Sequence, residues 1–344
     1  LPEPKDVIKL VDQTGDVIEE LENARLKSFD QILNAPGGCE FEIDVLDLKA
    51  GLLVEPLTYE IQVWRHEQLL DWFAPFRPIP DAGQLSVGCM GLLGYFDFRF
   101  VDADLTYNGL DQFTIGWNLL HYAQTFHPGA GLNISPSGFI GSGVLRDRSY
   151  SRDEGGNILH KLELFTGLIQ GFDYSIEVFP DGRREWTPYY PMKGTVRSNL
   201  TLEWGRNIRS FSLPRDGTRK ANYVISKGAG EGPDKLQQTW FDQPSIDSSV
   251  LMMDVTSDES VTELPTLLEK AKAQVAARHK TVVLPTITVG DDPVPTIGVI
   301  KTGDMVPVKI DRGAAQLSGL HRVVSISYDP ERDEQTLTLN EVPE

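Results

Sequence analysis

Fifty carboxylates, six histidines and two cysteines are the side chains through which this chain could do chemistry. Two carboxylates flanking a glycosidic bond can hydrolyse it, one as acid and one as base or nucleophile. The spacing singles out no such pair. The histidines are His66, His121, His127, His160, His279 and His321. None forms an i, i+4 pair or joins a Cys/His cluster, and His121 and His127 fall poorly on one helical face, so the pattern argues against zinc. Asp254, Asp258 and Glu259 lie together in a polar segment that could take a cation, but they lack the glycine of a calcium loop. A solvated loop is the plainer reading.

Gly228-Ala229-Gly230-Glu231-Gly232 is as glycine-rich as a phosphate-cradling loop. No Lys-Ser/Thr follows and no helix opens from it, so it reads as a flexible connection. A Gly-x-Ser-x-Gly nucleophile elbow is absent. No catalytic, cofactor-binding or metal-ligating residue is therefore assigned, and no cofactor is called for. Cys39 and Cys89 sit among apolar or small residues and read as buried reduced thiols, with pairing left open. The tryptophans at 64, 72, 117, 186, 204 and 240 could stack sugars or bases. Most sit in periodic patterns where core packing is the default. Trp72-Phe73 with Phe76 can be read as core or as an exposed interface patch.

With Lys+Arg 32 against Asp+Glu 50, the net charge is −18. A nucleic-acid grip needs a basic face to displace counterions, and none is present. Acidity serves solubility, or it keeps DNA from sticking if the chain lines a conduit. No apolar run approaches the length of a membrane span. At 344 residues there is room for two or three domains.

The elements that must position any site are strand-rich first, then mixed, then strand-rich again. Val7–Val11, the turn Asp12–Asp16 and Val17-Ile18 predict a hairpin. Cys39, Phe41 and Ile43 alternate with Glu40, Glu42 and Asp44, and Tyr59, Ile61 and Val63 repeat that period. Asp111 caps a helix with Phe113, Trp117 and Leu120 on one stripe. Asn157 caps another, carrying Ile158, Leu162, Phe165 and Ile169, with Gly171 as the stop. A strand through Phe172, Tyr174, Ile176 and Val178 turns back at Pro180-Asp181-Gly182 toward Trp186. Leu200, Leu202 and Trp204 alternate, and Tyr223 to Ser226 reads as a further strand. Residues 233–260 give no assignment. Leu264, Leu267, Leu268, Ala271 and Val275 mark a third helix, and Pro285 to Pro295 reads as an extended linker. Val306, Val308 and Ile310, then Val324, Ile326 and Tyr328, then Leu337 and Leu339 close the chain in strands. Short strands without crossover helices favour an antiparallel barrel or sandwich.

Four stretches in this order resemble the tail-tip hub, or minor tail protein, of long-tailed bacteriophages, a family related to the hubs of contractile tails. They are Ser28–Gly38 leading into Cys39–Ile43; Leu85–Cys89 with Gly91-Leu92-Leu93 and Arg99; Ile158 to Val178; and Leu202–Ile208 through Asn222–Gly228, resuming at Lys301–Val308 and ending at Arg322–Ile326. The likeness covers nearly the whole chain. It departs at Glu67–Asp71, where the family usually places a glycine after the preceding strand.

The resemblance implies a mixed β and α/β fold: two antiparallel, tube-like β-barrel domains with an inserted α+β domain. The first barrel would take 1–103. The insertion would take 104–197 and 229–296, and the second barrel 198–228 and 297–344. It implies a non-enzymatic virion protein at the tail tip, assembled in the host cytoplasm. Three copies would form a near-sixfold ring meeting the tail tube, the distal tail protein, the tape-measure protein and other tip proteins. DNA would pass through the lumen without specific binding, and the acidity would keep it from sticking. A cell-wall glycan hydrolase and a carbohydrate-binding protein using Trp72 or Trp240 are the alternatives.

Overall fold

Period-two runs become strands because alternate side chains then share one face of a sheet. The computed structural model describes residues 6–259, 261, 263–279, 282–290 and 297–342. Seven strands come first: β1 (Asp6–Val11), β2 (Val17–Glu20), β3 (Arg25–Ile32), β4 (Ala35–Asp44), β5 (Glu60–Arg65), β6 (Gln68–Pro80) and β7 (Gln84–Gly91). A 3-10 segment, Leu92–Phe98, leads to β8 (Leu105–Asp111), α1 (Gln112–Thr125), β9 (Ile134–Pro136), β10 (Leu145–Tyr150), α2 (Ile158–Thr166), β11 (Asp173–Val178) and β12 (Arg184–Tyr189). After β13 (Leu202–Glu203) and β14 (Ile208–Ser212) come β15 (Arg215–Asp216), β16 (Tyr223–Lys227), β17 (Gln237–Phe241), α3 (Gln243–Ser248), β18 (Met253–Ser257), α4 (Leu264–Arg278) and β19 (Val282–Val283). The chain closes with β20 (Thr286–Gly290), β21 (Met305–Arg312), β22 (Ala315–Asp329) and β23 (Glu334–Glu341).

Two compact units result: Leu1–Phe211 with Thr286–Glu344, and Ser212–Pro285. The larger is built on one mostly antiparallel, 13-stranded sheet. Its two halves have the same plan. The neighbour order is β3-β4-β7-β6-β5-β1 in one and β14-β20-β23-β22-β21-β13 in the other. Numbered along the chain, each half reads 2-3-6-5-4-1. The halves differ at the last pair, which is antiparallel for β1–β5 and parallel for β13–β21, and in β2, the thirteenth strand, which extends the first half beyond β1. They join where β22 pairs β3, with Ser325 opposite Ile32 and Tyr328 opposite Phe29. No closed barrel is found among the described residues, so the two expected barrels are here two halves of a continuous sheet.

The alternation expected for β4 holds: Cys39, Phe41 and Ile43 are buried, and Glu40 and Asp44 are exposed. With Ile61, Val63, Phe73, Leu85 and Val87 they form one core. The turn whose missing glycine departs from the family pattern is a two-residue hairpin loop, with His66 and Glu67 both at positive φ. That conformation normally asks for Asn or Gly, so residue type gave no signal for it. A second core gathers around α1, α2, β11 and β12, with Phe113, Leu162, Phe172, Tyr174 and Trp186 at its centre. Asp111 and Asn157 cap their helices through side-chain bonds to Phe113 N and His160 N. α2 stops earlier than expected, at Gly167, and Ile169 is 86% exposed rather than part of the stripe.

Three readings change in the later chain. Tyr223–Ser226 is a strand, but it belongs to the smaller unit, between β17 and β18. The unassigned stretch 233–260 supplies β17, α3 and β18. Part of the expected linker, Thr286–Gly290, is β20, paired along β23; residues 291–295 of it lie outside the described residues. In the smaller unit α4 covers one face of the three-stranded sheet, burying Leu267, Ala271 and Val275 beside Ala221 and Val224.

Candidate functional site

The residues singled out for chemistry do not converge. Arg278 binds Asp254 and Lys270 binds Asp258, while Lys235 holds Glu259 at 3.2 Å, so each acid of that segment has its own cation. Among the described residues no group of three or more His, Cys, Asp or Glu is placed to hold a metal. Two N–H groups of the Gly228–Gly232 turn are engaged within the fold: Gly228 N donates to Leu236 O at 2.8 Å and Ala229 N to Val261 O at 2.9 Å. Cys39 and Cys89 lie directly opposite each other across β4 and β7 as free, buried thiols. Burial beside Cys89 pushes the Cys39 thiol well up. Trp72 is fully buried, which settles it as core, whereas Trp240 is partly exposed in the smaller unit under Lys272.

What does converge in the larger unit is a set of buried polar junctions. Each ties segments far apart in sequence. In the first, Arg184 of β12 meets Glu60 of β5 at 2.8 Å. Tyr95 Oη donates to the same carboxylate at 2.8 Å, and the guanidinium lies 4.3 Å over the Trp72 ring. Arg184 also donates to Leu132 O and Gln13 O. Burial raises the Glu60 carboxyl, and Arg184 opposes that shift.

In the second, Arg65 of β5 donates to Tyr328 Oη at 2.6 Å and to Asp6 at 3.1 Å, and also binds Asp333. Tyr328 in turn donates to Asp6 at 2.9 Å. The junction therefore clasps β1 and β5 to β22, one half of the sheet to the other. The third lies at the β3–β4 corner. Asn34, at φ 60°, donates to Asp173 at 2.6 Å and accepts from Tyr174 N at 2.8 Å. Asp173 also takes Lys193 N at 2.7 Å and the Arg322 guanidinium. Nearby, Asp304 accepts from Thr195 N, Arg197 Nε and Lys301 N. Sequence reasoning missed all three junctions. Isolated Arg, Asp and Asn carry no periodic signal; only their pairing does.

A cavity of about 160 Å³ sits beside the third junction, with Gln31, Asp71, Ser175, Glu177, Lys193 and Gln335 in its walls. Burial pushes the Asp71 carboxyl up to about 6, against bonds from Gln31 and the Trp72 N–H. Burial also opposes the charge of Glu177, but Lys193 at 3.0 Å, with hydroxyls of Ser175 and Tyr189, outweighs it and holds Glu177 at about 2. Two carboxyls driven apart in this way could in principle act as acid and base. Pockets that bury drug-sized ligands, however, run from about 300 Å³ upward, and this cavity is smaller. Glu177 is also fully engaged in its ion pair.

The surface of the larger unit carries one further feature. The outer half of β6 exposes Phe76 (44%) and Ile79 (47%), and the Phe98 ring lies tilted against Phe76 with centroids 5.6 Å apart.

The sequence matches no protein-family model and no curated protein. Its fold does match solved structures. Over 98% of this chain and 96% of the other, it is similar to a tail protein from Neisseria meningitidis MC58, at TM-score 0.63 and 17% identity. The 43 kDa tail protein of prophage MuSo2 from Shewanella oneidensis matches at TM-score 0.62 and 14% identity, covering 98% and 97%. Prophage tail protein gp18 from Listeria monocytogenes EGD-e matches at 0.57 and 14%, covering 98% and 95%. The chain thus has the fold of phage tail proteins over nearly its full length.

Proposed function

We propose that the chain is a structural, non-enzymatic component of a bacteriophage tail: the hub of the tail tip. The observation that carries this reading is the end-to-end likeness to phage tail proteins, which leaves almost no part of the chain over for a separate catalytic domain. Buried Arg, Asp and Glu spent on joining segments, rather than lining an open cleft, support the same reading. In this proposal the virion holds three copies as a ring. Each copy contributes its two like halves as barrel-like modules, the first within 1–103 and the second built from β13, β14 and β20 to β23. Six modules then meet a sixfold tube.

The ring joins the tube and distal tail protein of a long-tailed phage to the tip. It surrounds the channel for the tape-measure protein and for DNA during ejection. The insertion is formed by 104–197 and by the smaller unit, to whose sheet the strand at Tyr223–Lys227 belongs. A net charge of −18 per chain makes the lumen repel phosphate rather than bind it. Assembly takes place in the host cytoplasm.

Electron microscopy of isolated tails with antibody or gold labelling of this chain tests the reading. A threefold ring at the tip is expected. Labelling elsewhere on the tail, or a monomer that never enters a threefold ring, overturns it.

A further inference from the structure

The sheet of the larger unit is joined in its middle and open at matching places. Within the chain, the fifth strand of one half (β22) pairs with the second strand of the other half (β3). The long strand β22 first runs along β21, up to Arg322. It then passes a bulge between Val323 and Ser325, and pairs β3 through Ser325–Tyr328. Its counterpart β6 has the same anatomy. It runs along β5 up to Phe73, passes a bulge between Pro75 and Arg77, and continues through Arg77–Pro80. Over that last stretch no strand among the described residues pairs it on the β5 side. The counterpart of β3 is β14, which ends the strand path; among the described residues its further strand partner beyond β20 is the Trp204–Ile208 bridge.

We propose that β14 of one copy pairs antiparallel with the outer half of β6 in the next copy, repeating between chains the β3–β22 joint made within each chain. Such a contact uses two different surfaces, head to tail, and closes into a ring only if the rotation per step allows it. The inference rests on the ring reading and supplies its joint.

The chemistry of the open edge fits a strand of this chain and limits what the joint can be. Asp81 N donates to Gln84 O at 2.9 Å, which fixes the alternation along β6 and β7. Arg77 and Ile79 therefore face β7 with their backbone groups, and Pro78 and Pro80 face the open side. Prolines are tolerated there because they owe no N–H to β7. They offer carbonyls only, so a partner strand is held by its own N–H groups and not by a full ladder. An edge of this kind resists indiscriminate strand pairing. Specificity then falls to the apolar side chains beside it. Phe76, Ile79 and Phe98 are exposed there, a patch that an assembled neighbour would cover.

The test uses the full chain with Ile79→Cys and Ser212→Cys together, both at exposed positions. A short bismaleimide is applied, and the native mass is read separately by light scattering. Trimer mass with covalent dimers and trimers, and no larger species, is expected. Each variant with only one of the two added cysteines should give about tenfold less cross-linked product, since Cys39 and Cys89 are buried. Covalent dimers without trimer mass, or a ladder running past three, keep the edge pairing but overturn the closed ring. Trimer mass with no more cross-linking than the single variants overturns this joint and leaves the ring reading standing. Far-UV circular dichroism matching the parent protein shows that the variants are folded. A further variant, Ile79→Lys, should lower the trimer fraction without changing that spectrum; an unchanged trimer fraction counts against the joint.

Discussion

Arg184 of β12 and Glu60 of β5 are paired 124 residues apart at 2.8 Å, with 1% and 2% of their side chains exposed. Removing one member of such a pair strands the other charge in a dry site, which costs about 3–5 kcal/mol. Arg184→Ala should therefore lower unfolding stability by that order. The double change Arg184→Met with Glu60→Leu should recover much of it, because two apolar groups leave no charge to solvate. Urea unfolding of the two variants checks this; equal losses would mean that the pair is not the source.

Asp71 carries the clearest pH signature. Its folded value, about 6, lies above the ordinary 3.8, so the folded state binds this proton more tightly than the unfolded chain does. Its charge penalises folding above pH 6, by about 3 kcal/mol at most. The penalty is relieved as pH falls from 6 toward 4. Glu177 acts in the opposite sense: its value of about 2 stabilises the fold above pH 4.5 and is lost as pH falls below that. Stability should thus rise from pH 7 to about 5 and decline below 4. Asp71→Asn should flatten the rise while keeping the bond from Gln31. Denaturant midpoints across that range decide it, and a parallel pH profile for the variant would exclude Asp71 as the origin.

Asn34 combines a backbone role with a side-chain role. Its φ of 60° favours Asn or Gly, and its amide bridges Asp173 and the Tyr174 N–H. Asn34→Gly should lose only the bridging, about 1–2 kcal/mol, and Asn34→Ala about 1 kcal/mol more, since alanine also strains the turn. Thermal or urea melts separate the two. Equal costs would show that the backbone conformation is not what Asn34 supplies.

The smaller unit has its own core. Leu267→Ala removes a fully buried side chain there and should cost about 2–5 kcal/mol. The loss should be local to that unit. Hydrogen exchange should show faster opening of amides in β16 and β17, with β4 and β7 still protected. Uniform loss of protection in both would mean that the units unfold as one.

Local order was legible where a short window holds the whole signal. The caps at Asp111 and Asn157, the β11–β12 hairpin and the inward face of β4 depend on neighbours within a few residues. β20 and β17 were not legible for the opposite reason. Thr286–Gly290 looks like a linker until β23 pairs with it, and Gln237–Phe241 shows no period-two alternation, so its strand is seen only where β16 lies alongside. Tyr223–Lys227 was readable as a strand, but no property of its residues says which sheet it joins.

By itself the amino-acid sequence determined the elements whose whole signal lies in a short window, such as β1, β4, β5, α1, α2, β11, α4 and β21 to β23, because periodicity and capping are short-range physics. It also determined the acidic balance that argues against a nucleic-acid grip. Only the tertiary structure decided that the larger unit's strands repeat one order in two halves, that Arg184 answers Glu60 and Arg65 answers Tyr328, and that the proline-edged end of β6 pairs β7 on one side while no strand among the described residues pairs it on the other. Those relations join residues tens to hundreds of positions apart. Strand pairing and buried charge are settled by which groups meet in space, and a one-dimensional pattern does not carry that information.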